Sequence, residues 1–170
     1  MTLPSITLIR RIALVLALAC LTGCGYSSGL RIPEGYRSVG VAIFANDSKV
    51  PDLERDLHRF ASDSVRDAVE APLTSPELAD VVIEGRILSY THFGGIRGPE
   101  NQLLETGVAI SVEAWLTDRK TGERIGEPVY SGQTVGYTTV EFGGEERSKD
   151  RALAYLAEGF VLELLARHSH

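Results

Sequence analysis

Glu105-Thr106-Gly107-Val108-Ala109-Ile110-Ser111-Val112-Glu113-Ala114-Trp115-Leu116-Thr117 alternates along its length, with Val108, Ile110, Val112, Ala114 and Leu116 on one face and Ser111, Glu113 and Trp115 on the other. A period of two over so long a run reads as a strand with one face on a core and one face left more polar. Asp118-Arg119-Lys120-Thr121-Gly122 follows as a tight-turn signal, and the next strand falls within Arg124–Val140, interrupted near Pro128, which has no N–H for a sheet ladder. On the N-terminal side, the glycine-rich residues 92–101 read as a long hairpin loop. Before them, Ala79–Tyr90 sets Val81, Ile83, Gly85 and Ile87 against Val82, Glu84, Arg86, Leu88 and Tyr90. Three strands joined as hairpins therefore occupy the middle of the chain.

Further out, Ser38–Phe44 alternates too, placing Val39, Val41 and Ile43 on one face and Gly40, Ala42 and Phe44 on the other. Asn46-Asp47-Ser48 makes a turn, and Pro51-Asp52 opens a helix to about Ala71 with Leu53, Leu57, Phe60, Ala61, Ser64, Ala68 and Val69 as its apolar stripe. Pro72 stops it. Glu54, Arg55, Asp56, Arg59, Asp63, Arg66 and Asp67 form its solvated side, with opposite charges close enough to pair. Ser148 is placed to cap a last helix through about His168, in which Leu153, Leu156, Phe160, Leu164 and Leu165 recur at helical spacing. The order is β-α-β-β-β-α.

A helix joining the first two strands makes them a parallel crossover pair. Both amphipathic helices need cover, and the Val/Ile face of the sheet is the large one available. The expectation is a two-layer α+β sandwich: a four-stranded mixed sheet with two helices on one face. The opposite face then carries Phe44, Leu88, Tyr90 and Trp115 beside Glu84, Arg86 and Glu113, with no helix left to cover it. It reads either as a wet sheet face with scattered aromatics or as a docking face for another protein.

The N-terminus has the form of a secretory leader: Arg10-Arg11, an apolar run from Ile12 to Leu21, and then Leu21-Thr22-Gly23-Cys24. The apolar run is about half of what a spanning helix needs. The last four residues read as a bacterial lipobox cut before Cys24; an ordinary signal peptide with an incidental cysteine and a short anchor helix are the alternatives. The division expected is a leader at 1–23, a lipid-anchored tether at 24–36 and a single α+β domain at 37–168. Gly25 follows the cysteine, where aspartate would mark retention under the enterobacterial sorting rule, so the expected destination is the outer membrane, with the domain on the periplasmic side. Loss of Arg10 and Arg11 with the leader takes the formal charge from −6 to −8, which argues against nucleic acid as a partner. Cys20 leaves as well and Cys24 is acylated, so no thiol remains for a disulfide, thiolate catalysis or redox chemistry.

Catalysis has little to stand on: the chain contains no Gly-x-Ser-x-Gly, phosphate-binding loop, His-Glu-x-x-His or dinucleotide fingerprint. His58 lies on the polar helix, His92 at a loop edge, and His168 and His170 in a C-terminal tail too sparse for a held metal site. Asp47, Asp52 and Glu54 suit a turn and a helix N-terminus better than an acid/base pair. Phe93-Gly94-Gly95 and Phe142-Gly143-Gly144 read as loop tips rather than phosphate cradles, since Glu145 and Glu146 follow the second. Neither a catalytic residue, a metal nor a cofactor is expected. Arg97, Arg119, Lys120 and Arg124 lie at or near loops, where they either meet the phosphates of an anionic lipid head group or are ordinary solvated turn charges.

Cys24-Gly25-Tyr26, Tyr36-Arg37-Ser38-Val39-Gly40-Val41 leading to Phe44-Ala45-Asn46, Pro51-Asp52-Leu53-Glu54, Ala79–Ile87, and Trp115-Leu116-Thr117-Asp118 with Thr121-Gly122 together resemble the LPS-assembly lipoprotein family, LptE. The element order is also that of the family. The resemblance implies a non-catalytic domain that sits in the lumen of the large outer-membrane β-barrel LptD, supports its assembly and binds lipopolysaccharide on its way to the outer leaflet. It also implies lipid contact through basic residues, whereas this chain is acidic and has no dense basic cluster. The rival reading is another outer-membrane lipoprotein of similar fold, an activator of a peptidoglycan synthase or an accessory subunit of an export system.

Overall fold

The computed structural model describes residues 29–167. The leader, the lipobox with Cys24, and His168 and His170 lie outside the described residues. The elements run β1 (Val39–Val41), β2 (Ala45–Asn46), α1 (Leu53–Ala68), β3 (Leu73–Thr74), β4 (Val81–Phe93), β5 (Glu105–Asp118), β6 (Arg124–Thr138) and α2 (Gly144–Ala166). β4, β5 and β6 are antiparallel hairpins, and β1 lies parallel to β4 with Val39 opposite Val81, the crossover geometry expected of a strand-helix-strand unit. The fold is the expected α+β arrangement, with two additional short strands. β3 adds a parallel edge beside β1, and β2 continues the pairing of β1 along β4, giving six strands. Two-residue strands carry no measurable period, so sequence alone passes over them.

α1 packs against β1–β3, α2 against β5 and β6, and the helices pack on each other. Both helices begin at the same end of the sheet, where Lys149 of α2 reaches Asp56 of α1 at 3.0 Å. Leu153, Leu156, Phe160, Leu164 and Leu165 are all buried, as their spacing requires. On α1 the buried stripe is Leu53, Leu57, Ala61, Ser62 and Val65, rotated from the expected one so that Phe60, Ser64 and Ala68 face a groove beside α2. α1 ends at Ala68 rather than near Ala71, because Val69 turns extended and Leu30 of the tether bridges to it. α2 starts a turn earlier than expected: Gly143, with φ 67°, takes the cap position, and the buried Ser148 donates its hydroxyl to the Gly136 carbonyl of β6.

Two one-residue slips re-aim side chains. Between the pairs Val41–Ile83 and Ala45–Arg86, four residues of the first strand span three of β4. A slip of one residue reverses the facing of everything after it. Phe44 is therefore 2% exposed in the core, its ring 5.4 Å from that of Phe160, while Ile43 is 62% exposed. The expectation of Phe44 on the open face is corrected accordingly. Gly85 makes room for that ring, since a Cβ there would stand 2.4 Å from it. The second slip leaves Leu88 without a partner, so Tyr90 pairs with Ile110 and faces the helices instead of the open side. The tyrosine hydroxyl reaches Glu145 of α2 at 3.2 Å.

Candidate partner-docking surface

The sheet face opposite the helices is built by the other phase of the same three strands. Glu113, in the centre of β5, is 4% exposed and accepts from Arg86 Nε of β4 at 2.7 Å and from the Tyr130 hydroxyl of β6 at 2.8 Å. The Tyr130 hydroxyl, followed by Arg86, holds its carboxyl below the ordinary range, and the same bond raises the Tyr130 phenol. Glu84 accepts from Trp115 Nε1 at 3.1 Å and Thr117 Oγ1 at 2.8 Å. Arg124 places its guanidinium 4.0 Å over the Trp115 ring, and Ser89 and Ser111 share a bond of 2.6 Å. Both carboxylates are committed to fixed partners. The face is a prearranged polar and aromatic surface rather than an acid/base device, and prearrangement lowers the entropy lost on docking.

The face is more polar than the sequence led us to expect. Trp115 is on it, Leu88 is half-buried at the second slip, and Phe44 and Tyr90 are not there. Sequence reading missed Tyr130, 67% exposed and bonded to Glu113; its only sequence signal was its phase, one residue out of step with the buried Val129.

The basic residues do not converge. Arg97 donates to the Asn101 carbonyl in the β4–β5 loop, Arg119 and Lys120 sit in the β5–β6 turn, and Arg124 is stacked on Trp115. The 14 residues of β5 separate the loop from the turn, about 45 Å at strand rise. In that turn Asp118 accepts the Tyr36 hydroxyl at 2.8 Å and the Lys120 and Thr121 N–H groups, which together hold its carboxyl below the ordinary carboxylate range. A carboxyl depressed in the fold stabilises it above the unfolded pKa, and that contribution is lost as pH falls through the folded value. Tyr36→Phe should raise the Asp118 pKa toward the ordinary range, read from its carboxyl-carbon shift in a pH titration; an unchanged titration would refute the clamp.

Other chemistry-bearing residues are spent structurally. Glu54 accepts from Asn46 Nδ2 at 2.7 Å, the Asp47 N–H donates to the Ile87 carbonyl, and the Asp52 carbonyl begins α1. His92 bonds Glu145 at 2.8 Å. His58 is not on a purely polar face: it lines a groove of about 400 Å³ with Val41, Ser62 and Thr74, where His58 Nδ1 and Thr74 Oγ1 have no hydrogen-bond partner among the described residues. Asp56, Glu146 and Asp150 bring carboxylate oxygens within 4.8 Å of one another, and Lys149 already supplies positive charge to Asp56 and to Glu146, the latter at 2.7 Å. No described helix is long and apolar enough to cross a membrane.

The profile of the LptE family, described as lipopolysaccharide-assembly, matches residues 36–165. The chain belongs to the LptE family. The match takes in every strand and helix above save the last residue of α2, and it makes this chain a lipoprotein of lipopolysaccharide assembly. No curated protein sequence matches it significantly. Among solved structures, rare lipoprotein B from Shewanella oneidensis is 11% identical with a TM-score of 0.50, covering 77% of this LptE-family chain and 96% of its own. At that identity the likeness is one of fold. A PelC dodecamer from Paraburkholderia phytofirmans (20% identical, TM-score 0.49, 76% and 89% covered) and a minor lipoprotein from Acinetobacter baumannii (19%, 0.48, 78% and 92%) are also similar.

Proposed function

We propose that this protein is a non-catalytic outer-membrane lipoprotein that occupies the lumen of an LptD-type β-barrel and supports delivery of lipopolysaccharide to the outer leaflet. The family match over residues 36–165 carries the reading. The uncovered sheet face supports it: a domain enclosed by a barrel wall needs a polar, fixed surface on the side its own helices do not cover. Arg97, Arg119, Lys120 and Arg124 contact lipopolysaccharide, on this reading, as separated charges along its path and not as one phosphate cradle.

The test is to isolate the tagged lipoprotein from gently solubilised outer membranes and identify its stoichiometric partner by mass spectrometry. A large barrel of the LptD type is the expected result; a peptidoglycan synthase or an export subunit would overturn it. Trp115→Glu sets a second carboxylate beside Glu84 on the open face, so barrel recovery should fall at least about tenfold with little change in thermal midpoint. Undiminished recovery would remove that face from the interface.

A further inference from the structure

α1 and α2 lie side by side and leave a groove of about 350 Å³ between them. Its apolar lining is Phe60 and Ala68 of α1 with Ala154, Val161 and Leu162 of α2, and Leu162 is 41% exposed. Ala68 and Ala154 are too short to close it. Asp67 and Glu158 line the groove as well; both are exposed, and neither has a hydrogen-bond or ion-pair partner among the described residues. The other charges here are engaged: Asp63 pairs with Arg66, and Arg59 lies over the Phe60 ring, 4.2 Å from its centroid. The helix pair thus presents an apolar floor with two open acceptors at its rim.

The chain's own tether arrives at the Ala68 end of this groove. The Leu30 N–H donates to the Ala68 carbonyl at 2.7 Å, the Glu70 N–H returns to the Leu30 carbonyl at 2.8 Å, and Arg31 pairs with Glu70 at 3.6 Å. Leu30 bridges to Val69 in parallel, which sets the residue before it beside Ala68. Tyr26 is four residues from Leu30, ~14 Å when fully extended. Phe60 and Ala68 stand eight residues apart on α1, about 12 Å along its axis, so the whole groove is within reach. Between Cys24 and Gly29 only Tyr26 has a large side chain, and no side chain there is charged. An aromatic ring with one polar tip matches an apolar floor with carboxylates at its rim. The chain makes that pairing repeatedly: Tyr36 donates to Asp118, Tyr90 to Glu145 and Tyr130 to Glu113.

We propose that Tyr26 docks in the α1–α2 groove, its ring against Phe60 and Leu162 and its hydroxyl donating to Asp67 or Glu158, so that the tether is a strap holding Cys24 against the helix pair. Cys24 then lies within about 7 Å of the groove, and the C-terminal ends of both helices turn toward the leaflet that takes its acyl chains. That orientation rests on the lipobox reading above; the docking itself rests neither on it nor on the barrel.

The experiment places the photo-crosslinking residue p-benzoylphenylalanine at position 26 of the full-length lipoprotein in cell membranes. Irradiation should join position 26 to the α1 or α2 peptide containing Phe60 or Leu162, within a species that migrates as a monomer, whether or not a barrel is recovered with it. Crosslinks to a barrel, to lipid or to a second copy in place of the chain's own helix pair would overturn the proposal. On the mature chain carrying Cys24→Ala, nuclear Overhauser contacts should connect the Tyr26 ring to the Ala154 and Leu162 methyl protons. Tyr26→Ala should speed amide exchange at Ser27 and Ser28 at least about tenfold, from the lost burial of one ring. Tyr26→Phe should keep the ring contacts, and Leu162→Asp should abolish the contact to Ala154. Absent ring contacts, or exchange at Ser27 and Ser28 unchanged by Tyr26→Ala, refutes the docking.

Discussion

Phe44→Ala should cost the domain about 3–5 kcal/mol, the range for removing a fully buried ring. The ring is 2% exposed, lies 5.4 Å from Phe160 and rests over Gly85, so truncation opens a cavity that a glycine cannot fill. The check is a urea unfolding curve in which the midpoint falls while the slope stays constant. Phe160→Ala should cost a similar amount, and the double variant less than the sum, because both mutations empty the same space. A loss below about 1 kcal/mol at Phe44 is what an open-face position would give, and it would refute the first slip. Ile43→Ser, at a position 62% exposed, is the matched control and should be nearly silent.

That contrast shows where the sequence was legible and where it stopped. The periods of β4, β5 and β6 and of both helices are long enough to override local noise, and the parallel crossover follows from connection length. The open face was legible as a consequence, because two helices cover only one side of a sheet. What sequence did not show are the two slips, after Val41 and at Leu88. A one-residue insertion leaves the alternation intact on either side while reversing its meaning, so Phe44 and Tyr90 read as outward and point inward. Gly85 held the best available signal, since a glycine inside a strand tends to mark a close approach; here that approach is the Phe44 ring. Ser148 reads as a helix start because serine caps well, yet Gly143 reaches the left-handed conformation more cheaply. The tie between the β4–β5 loop and the β6–α2 turn was not legible, because Thr139 makes it through bonds to the Leu103 and Leu104 carbonyls, tertiary contacts that no window of sequence contains.

Cys24→Ala should abolish acylation and move the protein from the membrane to the soluble fraction. The argument is one of chain count. Each buried methylene contributes about 0.8 kcal/mol, a single myristoyl-length chain gives an association constant of only about 10⁴ M⁻¹, and stable anchoring takes two signals. A lipobox cysteine supplies those chains at once, and an acidic domain with no basic cluster offers the leaflet little electrostatic attraction in exchange. The measurement is incorporation of labelled palmitate together with fractionation of cells into membrane and soluble material. Label still incorporated after Cys24→Ala would refute the lipobox. Loss of label with the protein still fully sedimenting would show that the barrel alone holds the domain in place, and the anchor would then be needed for delivery rather than for residence.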